Sequence, residues 1–209
     1  MALVLGTNCG FCLTRPSADP GGTAGVFDTW ASALKVTAPA GATRINEVGV
    51  WIDNATEAAN MDVGIYSHDS GNNRPLTLLG SATIAKGTTA GWKYGSVDVN
   101  ITPGTIYWVA GQVDDTATQT NGDVQTDATQ KNDYKASQTS LPASWAASSG
   151  TVGRLFACYT VYSTTSNFGL NIGDAWKNIN SAYLNVNDVW KPVTDKYLNV
   201  NDVWKPQHA

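Results

Sequence analysis

The side chains able to do chemistry in this 209-residue chain are few. Its two histidines are His68, beside Asp69 in a polar loop, and His208, the penultimate residue. A solvated pair is the ordinary explanation of His68 and Asp69. The sequence has no Gly-x-Ser-x-Gly and no phosphate-binding loop, so neither histidine has an evident nucleophile to serve. We therefore predict no enzymatic activity and no catalytic residues.

Aspartates in the second half of the chain could supply oxygen ligands. Asp114 and Asp115 end an apolar strand, and Asp123 and Asp127 follow. Carboxylate oxygens suit Ca²⁺, but this spacing matches no defined calcium loop. The same carboxylates could in principle cleave a glycosidic bond, although nothing else in the sequence supports that reaction. We expect no metal and no cofactor, and keep Asp114 and Asp115 as candidate ligand-binding residues.

The three cysteines form no evident redox or metal site. Cys9 and Cys12 have the spacing of a redox motif or a metal knuckle, but Pro16 follows closely and argues for an extended arm. A zinc site would need a second pair of ligands, and Cys158 and the two histidines are scattered. We expect three reduced thiols.

Aromatic residues are the better candidates for binding, since the chain has eight Trp and eight Tyr. An exposed ring can stack on the apolar face of a sugar. Trp108 lies in a strongly apolar stretch, which predicts a core position. Trp145 lies in the polar stretch Pro142-Ala143-Ser144-Trp145-Ala146, which predicts exposure. We therefore name Trp145, with Asp114 and Asp115, as candidate ligand-binding residues.

The elements that would position these residues are strands. Runs of β-formers separated by Gly, Pro and Asn occur at regular intervals, and none has helical periodicity. Seven or eight strands predict an antiparallel jelly-roll β-sandwich over residues 26–163, preceded by an arm over 1–25. The polar stretch 114–149 predicts a long loop with one weak edge strand between 123 and 135. The predicted strands cover residues 32–38, 44–53, 61–67, 76–85, 92–99, 106–113 and 154–163.

The last part of the chain, residues 164–209, contains a repeat with a 14-residue period. Three copies keep Leu, Asn, Asp, Trp and Lys in the same places. The central pairs are Gly173-Asp174, Asn187-Asp188 and Asn201-Asp202, which suit two-residue turns. A short fixed period predicts an array of small units, here β-hairpins, that cannot bury their apolar faces alone.

Hairpin register assigns both faces of each unit. A two-residue turn places Val186 opposite Val189, Asn185 opposite Trp190, and Leu184 opposite Lys191. Both faces are then largely apolar, and such a meander needs cover. Identical chains are the preferred cover, and packing onto the preceding domain is the alternative. The expected oligomer contacts are Trp176, Tyr183, Leu184, Val186, Val189, Trp190, Tyr197 and Trp204.

Composition excludes some partners. The net charge is −4 and only 14% of residues are charged, without a basic patch, so we expect no nucleic acid. No apolar stretch is long enough to span a membrane. The start Met1-Ala2-Leu3-Val4-Leu5-Gly6 lacks the features of a signal peptide, which predicts synthesis in a cytoplasm.

Two stretches of the sequence carry a resemblance to known families. The residues of the first are Val48–Asp53, Val63–Ser67, Leu78–Ser81, Gly91-Trp92 and Pro103–Trp108. Together they resemble jelly-roll modules of phage structural proteins and bacterial surface proteins, related in shape to carbohydrate-binding modules. The repeat Tyr-Leu-Asn-Val-Asn-Asp-Val-Trp-Lys-Pro resembles hairpin repeats at the ends of bacteriophage tail and fibre proteins.

The resemblances imply a virion structural protein, such as a fibre, spike or decoration subunit made in the host cytoplasm. Such a protein would form a homo-oligomer, most simply a trimer, with other virion proteins and a host-surface glycan as partners. A stand-alone carbohydrate-binding module is the alternative, and a polysaccharide-degrading enzyme is a weaker one.

Overall fold

All regular elements in the described part of the chain are β-strands. The computed structural model describes residues 2–26, 29–53, 58–113 and 120–164, together with the backbone of six short strands between 168 and 206. The chain divides into two compact units, Met1–Ser163 and Thr164–Ala209. The predicted all-β class is thereby confirmed. Within the described residues, no helix is long and apolar enough to cross a membrane.

Thirteen strands belong to the first part of the chain. They are β1 (Gly10–Cys12), β2 (Thr23–Val26), β3 (Ala31–Thr37), β4 (Ala42–Ile52), β5 (Asn60–Asp69), β6 (Arg74–Ala85), β7 (Gly91–Asn100), β8 (Ile106–Val113), β9 (Asn121–Thr126), β10 (Asn132–Lys135), β11 (Gly150–Val152), β12 (Arg154–Phe156) and β13 (Cys158–Thr164).

These strands form three sheets. A six-stranded sheet has the order β11-β10-β3-β8-β5-β6, a four-stranded sheet β1-β13-β4-β7, and a three-stranded sheet β12-β9-β2. The register is antiparallel, as predicted, except that Gly10–Cys12 runs parallel to Tyr159–Val161. β9 and β10 are both central strands, where we expected one weak edge strand. β9 lies between β12 and β2, and β10 lies between β11 and β3.

The main core is built from alternate residues of the two larger sheets. On β4, Val48, Val50 and Ile52 are fully buried, and on β5 Met61 and Val63 are buried with them in one apolar cluster. Alternation along each strand sends these side chains to one face, as the sequence pattern predicts. Their burial removes apolar surface from water and is the main stabilising contribution.

A second apolar cluster lies on the other side of the six-stranded sheet. Tyr66 and Trp108 of that sheet pack with Leu141 and Trp145, which come from residues 136–149. This covering segment is hydrogen-bonded to β6: Trp145 N donates to Leu76 O over 2.8 Å. Part of the polar stretch therefore covers a sheet face, where we expected a long loop.

Six short strands lie in the second unit, and each pairs antiparallel with one neighbour. Tyr183–Val186 pairs with Val189–Pro192, with Asn185 opposite Trp190. Tyr197–Val200 pairs with Val203–Pro206 in the same register, with Asn199 opposite Trp204. The strands are β14 (Phe168–Ile172), β15 (Ala175–Ile179), β16 (Tyr183–Val186), β17 (Val189–Pro192), β18 (Tyr197–Val200) and β19 (Val203–Pro206).

Candidate functional site

A bulge in β4 sets the outer face of the four-stranded sheet. The pairing of β4 with β7 shifts between Ile45 and Glu47. Ile45 and Val48 are both fully buried although three positions separate them, so the bulge reverses the alternation. Glu47, Gly49 and Trp51 then share the other face of β4, although the buried Trp51 also packs with the main core cluster. Their partners on β7 are Ser96 opposite Glu47, Tyr94 opposite Gly49, and Trp92 opposite Trp51.

Four aromatic rings meet on this side of the sheet, and we call Trp51, Trp92, Tyr94 and Tyr159 the aromatic face. Trp92 contacts Trp51 edge-on at 5.6 Å between centroids, and contacts Tyr159 edge-on at 5.1 Å. Tyr159 is fully buried and lies over Gly49, which has no side chain to displace it. Tyr94 is 42% exposed and is the accessible ring of the set.

Arg15 and Glu47 form the charged part of the aromatic face. Arg15 Nε donates to Glu47 Oε1 over 2.9 Å, and a second nitrogen of the guanidinium pairs with Oε2. Tyr159 donates its hydroxyl to the same Oε1 over 2.7 Å. Partial burial would raise the pKa of Glu47, but these hydrogen bonds outweigh it and lower that pKa. Glu47 is therefore a fixed anion that holds Arg15.

The connection between β1 and β2, residues 13–22, crosses the aromatic face, and we call it the crossing segment. Its Arg15 guanidinium lies 3.4 Å from the Tyr94 ring centroid. Its Ala18 carbonyl accepts a hydrogen bond of 2.9 Å from Trp92 Nε1.

The indole N–H of Trp51 is buried and has no hydrogen-bond partner in the described part of the chain. An unpartnered buried donor of this kind is rare in folded proteins, because burying it without a partner costs free energy.

This arrangement can bind but shows no reacting centre. Its rings offer stacking surface, its indole N–H groups are donors, and its one carboxylate is neutralised by Arg15. A sugar ring or a planar side chain could stack on Tyr94 if the Arg15 side chain moved aside. We regard the aromatic face as the candidate functional site.

The structure corrects the prediction that Trp145 is exposed. Trp145 is fully buried, and its Nε1 donates to Asp133 Oδ1 over 2.7 Å. Its ring packs edge-on against Tyr66 at 5.1 Å between centroids. The flanking polar residues suggested exposure, but the buried Asp133 carboxylate supplies a partner for the indole N–H. Trp145 is therefore a structural residue that cannot stack on a ligand in this conformation.

The other predicted site residues are separated or lie outside the described residues. Asp114 and Asp115 fall outside them, as do the side chains of all the expected oligomer contacts. Asp123 is buried, and burial, followed by the neighbouring Asp53 and Asp19, raises its pKa to about 6. Among the described residues, no three His, Cys, Asp or Glu side chains are placed to hold a metal ion.

The three cysteines and His68 are held in the fold by burial or by hydrogen bonds. All three cysteines are free and buried, and burial first, with the Cys12 charge second, raises the pKa of Cys9 to about 12. They are therefore poor nucleophiles. His68 lies on β5, and its Nδ1 accepts a hydrogen bond of 3.1 Å from Trp108 Nε1.

Sequence reasoning missed Arg15, Glu47 and Tyr94. Glu47, Gly49 and Trp51 alternate in the sequence with Val48, Val50 and Ile52. This alternation could have predicted that the first three share the face of the strand opposite the aliphatic residues. Arg15 carried no signal, because 32 residues separate it from its partner Glu47.

Comparison of the chain with models of known families, with curated proteins and with solved structures finds no match.

Proposed function

We propose that this protein is a structural subunit of a bacteriophage particle, such as a fibre, spike or decoration subunit. Its C-terminal repeat assembles copies of the chain into a homo-oligomer, most simply a trimer, alongside other virion proteins. The first unit then contacts a host-cell surface glycan. The observation that carries this proposal is the repeat with its three paired strand units.

Two features of the repeat support assembly. Each strand pair in the second unit is a separate two-stranded sheet among the described residues. Such a hairpin is at best marginally stable by itself in water, because it has too little surface to bury. The three copies also carry nearly the same sequence, so one contact geometry can recur along an array. Closed cyclic symmetry among identical chains would cover every copy at once.

We also propose that the first unit is a jelly roll in the strict sense. In that fold, eight strands form two four-stranded sheets through two Greek-key connections. The strand orders β3-β8-β5-β6 and β1-β13-β4-β7 within the two larger sheets support this topology. Strand β2 would be an insertion after the first strand, and strands β9 to β12 would be an insertion before the last strand. The parallel pairing of β1 departs from the fully antiparallel pattern.

Removal of the repeat tests the assembly role. We expect the full chain to elute as a multiple of 22.1 kDa in size-exclusion chromatography with light scattering. A chain ending at Ser163 should remain folded and be monomeric, because the main core lies within the first unit. A monomeric full chain at micromolar concentration, or a truncated chain that keeps the oligomeric state, would contradict the proposal.

A full-length variant separates assembly from truncation. Trp190→Ala and Trp204→Ala together should weaken assembly, since burying each Trp contributes roughly 2–3 kcal/mol. The first unit of this variant should unfold as in the unmodified chain. The control is Trp30→Ala, which removes a Trp that stacks on Tyr134 in the first unit at 4.6 Å. An oligomer that responds equally to both changes would not be held by the repeat.

A second candidate function is carbohydrate binding by the aromatic face. The exposed ring of Tyr94 beside Trp92 favours it, because such rings stack on the apolar side of a pyranose. Neutral oligosaccharides should perturb the Tyr94 ring and Trp92 indole resonances in NMR titrations, and Tyr94→Ala should abolish the response of the Trp92 indole. Leu79→Ala is the matched control, since Leu79 is 41% exposed on β6. No response to any neutral oligosaccharide would contradict this candidate.

A further inference from the structure

A cleft of about 800 Å³ opens beside β3. β10 pairs with β3 from Ala31 to Leu34, and Lys35 N donates to Lys131 O just beyond that pairing. Among the described residues, no strand pairs with β3 on that side from there to Thr37. The connection from β9 to β10, the loop before β1 and strand β11 form its walls. The lining residues are Leu5, Gly6, Phe11, Lys35, Val36, Thr37, Pro39, Asn73, Ala128, Thr129, Gln130, Lys131, Thr151, Val152 and Gly153.

Two lysine ammonium groups converge in this cleft. Lys35 Nζ donates to Asn73 Oδ1 over 2.8 Å, and Lys131 Nζ donates to the backbone carbonyl of Asn73. Asn73 ends the turn between β5 and β6 with a φ of 50°, a left-handed conformation that asparagine tolerates. Because both ammonium groups bind one residue, two positive charges lie close together at one end of the cleft.

In the described part of the chain, neither lysine forms an ion pair with a carboxylate. Lys131 interacts at longer range with the Asp133 charge and with the Trp108 ring, whose centroid lies 5.9 Å from Nζ. The nearby Asp127 accepts hydrogen bonds from the backbone and hydroxyl of Thr129. An ammonium group has three donors, and the bond to Asn73 uses one of them.

The two lysine charges also act on the neighbouring His68. Partial burial lowers the pKa of His68 and the charge on Lys35 lowers it further, whereas Asp69 acts in the opposite direction. The Lys131 charge also lowers the pKa, by a smaller amount. A local positive field in a chain of net charge −4 favours an anion at this place.

The rest of the lining indicates the kind of anion. Thr129, Gln130 and Thr151 offer hydroxyl and amide groups that can bind sugar hydroxyls. Leu5, Pro39 and Val152 offer apolar surface for the C–H faces of a sugar ring. Two cations are too few for nucleic acid, whose binding depends on many phosphate contacts.

We propose that this lysine cleft binds an anionic saccharide, with a carboxylate or sulfate group between Lys35 and Lys131 and the sugar ring along the Thr129–Thr151 wall. The site is distinct from the aromatic face, and the proposal does not rest on the assembly role. Binding should be weak and salt-dependent, because the charged groups are partly exposed.

Isothermal titration calorimetry of the full chain tests the proposal with four probes. They are a hyaluronan tetrasaccharide (carboxylated), a chondroitin sulfate tetrasaccharide (carboxylated and sulfated), maltotetraose (neutral) and sodium acetate (an anion without a sugar). We expect at least one anionic tetrasaccharide to bind at least about tenfold more tightly than maltotetraose or acetate, a difference of one decade in Kd. No binding by either anionic tetrasaccharide would overturn the proposal. Acetate binding as tightly as the tetrasaccharides would also overturn it, by showing an anion site without sugar recognition.

Charge variants locate the site. Lys35→Gln and Lys131→Gln should each weaken binding at least about fivefold, and the double variant should abolish it. Lys35→Arg and Lys131→Arg keep the charge and should retain binding. They therefore distinguish loss of charge from loss of binding caused by misfolding. Arg44→Gln is the control of equal charge change, since Arg44 lies in an exposed pair with Asp98 on the other sheet. Unchanged binding in the double variant, or equal loss in Arg44→Gln, would overturn the assignment.

Discussion

The outer faces of the two larger sheets both carry aromatic rings, but they are covered in different ways. On the six-stranded sheet, Trp108 is fully buried beneath residues 136–149, which contribute the fully buried Trp145. That covering segment forms backbone hydrogen bonds with β6, including Leu78 N to Ala143 O at 3.0 Å. On the four-stranded sheet, the crossing segment contacts the rings through Arg15 and through one carbonyl, and Tyr94 stays 42% exposed.

The difference shows which cover can be displaced. A cover that buries large rings and pairs its backbone with a strand is part of the core, and removing it costs several kcal/mol. An exposed ion pair usually contributes only about 0–1 kcal/mol, because solvent screens it. The aromatic face is therefore the one that can open for a ligand, whereas the cover of the six-stranded sheet is structural. The following changes test this contrast, beginning with the largest expected effect.

Trp145→Ala should destabilise the first unit by about 3–5 kcal/mol, because it empties a buried site beside Tyr66. Trp145→Phe should cost less, about 1–3 kcal/mol, because it fills most of the volume but leaves Asp133 without the indole donor. Urea unfolding at fixed protein concentration measures both. A cost below about 1 kcal/mol for Trp145→Ala would show that this cover is not structural.

Gly49→Ala should destabilise by about 1–3 kcal/mol through overpacking. A Cβ at this position would lie 2.4 Å from Cε1 of the buried Tyr159, so the ring must move. Gly71→Ala is the control, because its Cβ would meet only Asp69 Oδ1 at 3.4 Å in an exposed turn. Thermal unfolding compares the two variants. Equal midpoints would mean that the Tyr159 ring is loosely held and that the aromatic face is mobile throughout.

Asp123→Asn should stabilise the protein at neutral pH. Burial first, then the charges of Asp53 and Asp19, raises the folded pKa of Asp123 from 3.8 to about 6. The folded state then binds more protons than the unfolded state between these pH values, so this group lowers stability as pH rises from about 4 to about 6. The cost is fully present above pH 6, and we expect a gain of about 1–2 kcal/mol there.

The same variant should behave as the unmodified chain below pH 4, where the carboxyl is protonated in both states. Unfolding midpoints measured at pH 3.5 and 7.5 test this. A gain of the same size at both pH values would contradict the charge explanation. Asp19→Asn should give a smaller gain at pH 7.5, because Asp19 acts only as a neighbouring charge.

Arg15→Ala should change stability by no more than about 1 kcal/mol, since its ion pair is partly exposed. It should nevertheless loosen the crossing segment, because Arg15 bonds Glu47 and covers Tyr94. Hydrogen exchange of residues 13–22 should become faster, and Arg44→Ala should leave that exchange unchanged. Unchanged exchange in Arg15→Ala would mean that the crossing segment is held elsewhere.

Much of the strand pattern could be predicted, because alternation is a local property. β8 matches its predicted bounds, and β4 and β5 contain theirs apart from Asp53, which follows β4. The partial prediction of the candidate site has the same origin, since Trp51 alternates with Val50 and Ile52. The prediction failed for Trp145, whose polar neighbours indicated exposure while its fully buried partner, Asp133, lies twelve residues earlier.

By itself, the sequence determined that the protein is all-β, that β4 and β5 turn aliphatic residues inward, and that its last part repeats every 14 residues. Only the tertiary structure decided how the outer faces are covered. Glu47 takes partners from both ends of the first unit, Arg15 and Tyr159, and the lysine cleft joins Lys35 and Lys131 at the Asn73 turn. The physical reason is that alternation requires only neighbouring residues, whereas these contacts form only after distant segments have packed.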